Sequence, residues 1–248
     1  VRTYGHHPSF LLFSLGNELN GDFDLLRKTA RHLREIDPNR LYTLTSNWDR
    51  PVAEEDDFYV AQSTDGAGLR GEYFPERMAR GTDLAFDEAV ELRALPTVSH
   101  EVGQYAVYPN VAEIRDYHGP LAPVNFEAIR LDLLRRGMLH QAATFVNASG
   151  RFAALLYKAE IEAALATEDM AGFQLLGLQD YPGQSTATIG LIDSLGSTKP
   201  FTSPNWFRRF CAPRSILFLT AQRVLTEGES LRGRFRLANH ASRFEGGA

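Results

Sequence analysis

The sequence predicts an α/β fold, part of an eightfold barrel of alternating strands and helices followed by a short all-β segment. Three observations carry that expectation. Phe10-Leu11-Leu12-Phe13-Ser14-Leu15 is a nearly unbroken apolar run that stops at Gly16, the pattern of a strand buried on both faces of a parallel sheet. Leu95-Pro96-Thr97-Val98-Ser99 repeats that layout and runs into His100-Glu101 and Gly103. Between and after these runs, helical and strand patterns alternate, which implies parallel pairing.

The elements follow in order. Gly21-Asp22 opens a helix, with Asp22 able to accept a hydrogen bond from a first-turn N–H. Leu26, Ala30, Leu33 and Ile36 then recur at helical spacing until Asp37-Pro38 ends the pattern. Residues 41–45 read as the next strand, with Ser46-Asn47-Trp48-Asp49 at its end, and residues 58–61 as a third. The polar, glycine-bearing stretch 62–80 reads as a loop far longer than the usual connection of about 2–6 residues, of the kind that shapes a pocket.

Residues 84–92 fit a helix ahead of the Glu101 strand, and 103–118 a second long loop that carries Tyr105 and Tyr108. Two helices are expected over about 126–145 and 152–166, separated by Ala148-Ser149-Gly150. Residues 172–178 read as the last strand of the series, followed by Gln179-Asp180-Tyr181-Pro182. After Ala212-Pro213 the pattern changes to two short antiparallel strands, 215–220 and 232–237, so the domain boundary is placed between 1–212 and 213–248. Four strand–helix units are half of a barrel that typically needs roughly 250 residues.

Composition narrows the function. The chain has 248 residues, 44% hydrophobic, with a net charge of −5 spread along its length, enough to bury a sizeable core. No basic patch interleaved with aromatics is present, so a nucleic-acid partner is not expected. No apolar run reaches the ~20 residues of a membrane span. The single cysteine, Cys211, excludes an internal disulfide and a cysteine-rich metal site.

Two strands that each deliver a glutamate at the carboxyl end make Glu18 and Glu101 the candidate catalytic pair. His7-Pro8-Ser9 followed by Phe13-Ser14-Leu15-Gly16-Asn17-Glu18 resembles the HPS…SLGNE signature of the β-galactosidase/β-glucuronidase family, glycoside hydrolase family 2. The resemblance implies about strands 4 to 8 of a (β/α)8 TIM barrel followed by the start of an all-β sandwich, so that the chain begins inside the barrel. It also implies a retaining exo-β-glycosidase acting on glycans, with Glu18 as acid/base and Glu101 as nucleophile. Asn17 would hydrogen-bond a sugar hydroxyl, and His100 would orient Glu101 or touch the sugar. Tyr73 or Tyr105 would hydrogen-bond the nucleophile, and Gln179 and Asp180 would make polar substrate contacts. Trp48 is a candidate stacking platform for a sugar face.

The chemistry needs one carboxyl to protonate the departing oxygen and another to meet the developing oxocarbenium ion. It needs no metal or organic cofactor. A metal centre built from His6, His7, His100 and the two glutamates is set aside, because no ligand spacing such as HExxH occurs. The chain departs from the family where many members carry Trp-Asp in the final strand and this one reads Leu175-Leu176. It also lacks the Asn-x-Lys motif of glucuronidases, which disfavours a uronic acid substrate.

That departure motivates a second expectation, a non-catalytic carbohydrate-binding relative. A third is an inactive half-barrel fragment that needs the missing strands or an oligomer partner, since unpaired sheet edges invite association. The resemblance is compatible with a periplasmic or extracellular setting and does not choose the sugar.

Overall fold

The computed structural model describes residues 1–181 and 188–241. The chain forms two compact units. The first comprises Val1–Val102, Ala163–Gln174 and Phe218–Arg234; the second comprises Gly103–Glu162, Leu175–Leu217 and Phe235–Ala248.

The first unit opens with β1 (Leu12–Ser14), which pairs in parallel with β2 (Leu41–Thr43), Leu12 opposite Leu41 and Ser14 opposite Thr43. Between them runs α1 (Phe23–Ile36). Asp22 caps it as its side-chain chemistry predicts, Oδ1 accepting from the Leu25 N–H at 3.1 Å. The predicted apolar spacing turns Ala30 inward onto Leu44 and Ala53, with Leu15, Phe23 and Leu26 closing the cluster.

A three-stranded sheet follows in the order β3 (Tyr59–Ala61), β6 (Thr97–Val102), β7 (Met170–Leu175), with β3 and β6 parallel. Single parallel bridges, Asn17 to Ser46 and Asn47 to Ala61, continue the pairing beyond the ends of β1, β2 and β3. The stretch expected as open loop is structured. It holds a hairpin of β4 (Ser63–Thr64) and β5 (Ala67–Gly68), then α2 (Pro75–Arg80). The helix expected over 84–92 shortens to α3 (Asp87–Glu91).

The expected partial barrel followed by a sandwich is not what forms. Strands of two to six residues group into small sheets, the largest of three strands, and no barrel appears among the described residues. A barrel requires strands long enough to tilt and close on one another. The apolar run at residues 10–15 contributes only three strand residues, and Leu11 and Leu12 are 57% and 50% exposed, so it is not buried on both faces. The C-terminal segment supplies β8 (Arg214–Leu219) and β9 (Arg234–Asn239), a two-stranded sheet rather than a sandwich among the described residues.

The second unit is built on α4 (Val124–Arg135) and on α5 (Ala142–Ala166) as far as Glu162. Sequence reasoning placed a break at Ala148-Ser149-Gly150, yet α5 runs through it. Ser149 donates its hydroxyl to the Phe145 carbonyl at 2.7 Å, inside the helix. Gly150 is there for close approach: a Cβ would fall 2.2 Å from the Phe201 ring. Val107, Val146 and Ala153 form a core cluster with Tyr105, Tyr108 and Phe201 against it. Gly103, with φ +84°, presents its backbone to Tyr157, where a Cβ would sit 1.9 Å from the ring; its N–H donates to Glu160 Oε2 at 2.8 Å.

Candidate active site

Glu18 lies just beyond β1 and Glu101 near the end of β6, both in the first unit. The turn carrying Glu18 is pinned to the end of β2. The Glu18 N–H donates to the Ser46 carbonyl at 2.7 Å, the Ser46 N–H to the Gly16 carbonyl at 3.1 Å, and the Leu19 N–H to Thr45 Oγ1 at 3.0 Å. The end of β2 is itself held by a buried ion pair, Arg50 Nη1 to Asp56 Oδ2 at 2.7 Å. Asp56 also accepts from the N–H groups of Leu44 and Ala53. Burial works against the Asp56 carboxylate, but these partners bring its pKa below the ordinary value.

Both glutamates occupy the left-handed region, φ +51° at Glu18 and +59° at Glu101. For an L-residue that conformation costs on the order of 1 kcal/mol and persists only where the surroundings impose it. One carboxylate oxygen of Glu18, one of Glu101 and a ring nitrogen of His100 all lie within 4.8 Å of one another.

His100, 5% exposed, is the hub of the cluster. Its Nε2 is 2.8 Å from Asn17 Oδ1 and 3.4 Å from Glu101 Oε1, and its Nδ1 is 3.1 Å from Gln174 Oε1. Gln62 donates from Nε2 to Glu101 Oε2 at 3.1 Å, turning the other oxygen toward the imidazole. The buried Arg70 guanidinium donates to the Glu101 carbonyl at 3.2 Å and pairs with Glu72. Two carboxylates, an imidazole and three amides are therefore brought into one cluster, an arrangement suited to proton transfer and to holding a hydroxylated ligand.

Of the remaining predicted residues, Trp48 and Tyr73 belong to the first unit, and the Trp48 carbonyl accepts from the Gln62 N–H at 3.0 Å. Trp48 is half exposed beyond β2, its backbone N–H donating to Asn47 Oδ1. Tyr73, also partly exposed, packs its ring against Gly68. Tyr105, Gln179 and Asp180 belong to the second unit. Tyr105 stacks edge-on to Tyr157 with ring centroids 5.8 Å apart, and Gln179 donates to the Ser194 carbonyl at 2.7 Å. Asp180 is buried, accepting from Lys199 Nζ and from the Gly190 N–H, each at 2.7 Å. Burial raises the Asp180 pKa, with Lys199 opposing.

Sequence reasoning missed Gln62, Arg70 and Gln174. Gln62 carried a readable signal, since it follows β3 directly, as Glu18 nearly follows β1. Gln174 lay inside a strand pattern and Arg70 inside an apparent loop, where nothing local marked them.

Comparison with protein-family models gave no match, and comparison with curated proteins gave none either.

Proposed function

We propose that the chain is a retaining exo-β-glycosidase of the β-galactosidase-like kind found in glycoside hydrolase family 2, with Glu101 as nucleophile and Glu18 as acid/base. The observation that carries this reading is the approach of the two carboxylates to within 4.8 Å. A retaining pair is typically about 5–5.5 Å apart, whereas an inverting pair leaves about 6.5–9.5 Å for a water molecule. The Asn17-Glu18 motif and its lead-in support the same reading from the sequence.

In the first step a Glu101 oxygen attacks the anomeric carbon as the glycosidic C–O bond breaks, and Glu18 gives its proton to the departing oxygen. The product is an ester between Glu101 and the sugar. In the second step Glu18 takes a proton from water, the hydroxide oxygen bonds to the anomeric carbon, and the Glu101 ester bond breaks. Gln62 holds one Glu101 oxygen so that the other is presented. When His100 donates Nε2–H to Asn17 Oδ1, the Asn17 amide N–H groups are left to meet a sugar hydroxyl.

The test is covalent trapping with a panel of 2-deoxy-2-fluoro β-glycosides bearing a good leaving group, read by mass spectrometry of the intact chain and its peptides. The expected result is one adduct per chain on Glu101, absent from Glu101→Gln. Sugar binding without any adduct and without turnover overturns the hydrolase and favours a carbohydrate-binding protein.

A further inference from the structure

We propose that Glu18, His100 and Glu101 also form a divalent-cation site of the zinc class, which closes the carboxylate pair to sugar when filled. The ligand set is two carboxylate oxygens and one imidazole nitrogen. Imidazole selects zinc and its transition-metal neighbours over magnesium and calcium, which prefer all-oxygen shells. Three protein ligands plus an open position is the arrangement of a solvent-accessible zinc centre.

The distances fit with one adjustment. Tetrahedral zinc with bonds of about 2.0–2.2 Å sets neighbouring ligand atoms about 3.3–3.6 Å apart. His100 Nε2 and Glu101 Oε1, at 3.4 Å, already form one such edge. One carboxylate oxygen of Glu18 lies within 4.8 Å of a His100 ring nitrogen and of a Glu101 oxygen. Glu18 is only partly buried and reaches the remaining distance by rotating its own side chain.

The surroundings are those of a built site rather than a chance cluster of acids. A metal-binding histidine almost always gives its second N–H to an oxygen, which fixes the ring and leaves the other nitrogen's lone pair for the ion. Gln174 Oε1, 3.1 Å from Nδ1, is placed to do this. Gln62 does the equivalent for Glu101, binding the oxygen that faces away from the imidazole. Filling the site replaces the contact of Nε2 with Asn17 Oδ1, so the Asn17 amide turns away as the ion enters. Sequence spacing gave no hint of this, because the ligands come from two strands far apart in the chain.

The ion and a sugar would need the same oxygens, so zinc acts as a competitor. That clause alone rests on the hydrolase reading; the site itself does not. The test is calorimetric titration of the full chain with Zn²⁺ at pH 7.5, with Co²⁺ absorption as an independent report of coordination. One ion per chain is expected. Affinity should fall tenfold or more in His100→Ala and in the isosteric Glu18→Gln, while the His6→Ala/His7→Ala double variant binds as the parent does. No binding at millimolar zinc, or binding that survives both His100→Ala and Glu18→Gln in chains with parental circular dichroism, overturns the site. Where fluoroglycoside trapping works, zinc should suppress it with the same constant. Binding without suppression overturns the competition.

Discussion

Glu18 and Glu101 share one unusual backbone state, φ +51° and +59°, and bring their carboxylate oxygens within 4.8 Å of each other. The coincidence has a structural cause. Each follows or ends a short parallel strand, and each is held there by bonds from its neighbours: Ser46 accepts from the Glu18 N–H, and Arg70 donates to the Glu101 carbonyl. The strain is local and the restraint is not, which is the pattern of a site maintained for its geometry rather than for stability.

The first prediction concerns that strain. At an ordinary position alanine is more stable than glycine by about 0.5–1 kcal/mol. At residue 18 the order should invert, because only glycine adopts a left-handed φ without a Cβ clash. Glu18→Gly is expected to exceed Glu18→Ala by about 1 kcal/mol in urea unfolding. Both variants lose the carboxylate, so the difference isolates the backbone; alanine remaining the more stable variant would sink the claim.

Glu113 in the second unit makes stability depend on pH. Burial first, then the negative charges of Asp193 and Asp180, push its pKa from 4.5 to about 7, with Asn110 and Lys199 opposing. The folded state thus keeps a proton that the unfolded chain releases above its own pKa. The stabilisation is complete below about pH 4.5 and is lost as pH rises through about 7. At about 1.4 kcal/mol per unit, the loss is on the order of 3 kcal/mol. Urea unfolding at pH 5 and pH 8 should show this slope in the parent and a much flatter one in Glu113→Gln.

Asp180 and Lys199 form a pair whose side chains are 4% and 7% exposed. Removing one partner strands the other charge. Lys199→Met should cost about 3–5 kcal/mol, and the double variant Asp180→Asn/Lys199→Met should regain a large part of that. Chemical denaturation of the two single variants and the double measures the coupling; simple additivity would rule out an interacting pair.

How much of this was legible in the sequence depended on the range of each interaction. Asp22 capping α1 was readable because its partner, Leu25, lies within one helical turn. Glu18 and Glu101 were readable as strand-end carboxylates for the same reason. Gln174 was not, because its meaning comes from His100, which only tertiary folding brings near. Gly150 misled for a related reason: its need to be glycine comes from Phe201, while its local signal was that of a helix break. The barrel failed at the apolar run. Hydrophobicity at Leu11 and Leu12 suggested two buried faces, and both side chains meet solvent instead.

Gly103 sets a boundary on how this chain can evolve. Its left-handed backbone and the Tyr157 ring pressed against it leave no side chain that the position accepts. Any side chain there has to displace the ring or the backbone before the native packing can form. Substitutions in the stretch after Glu101 are therefore better accommodated at the exposed Gln104 than at the glycine before it.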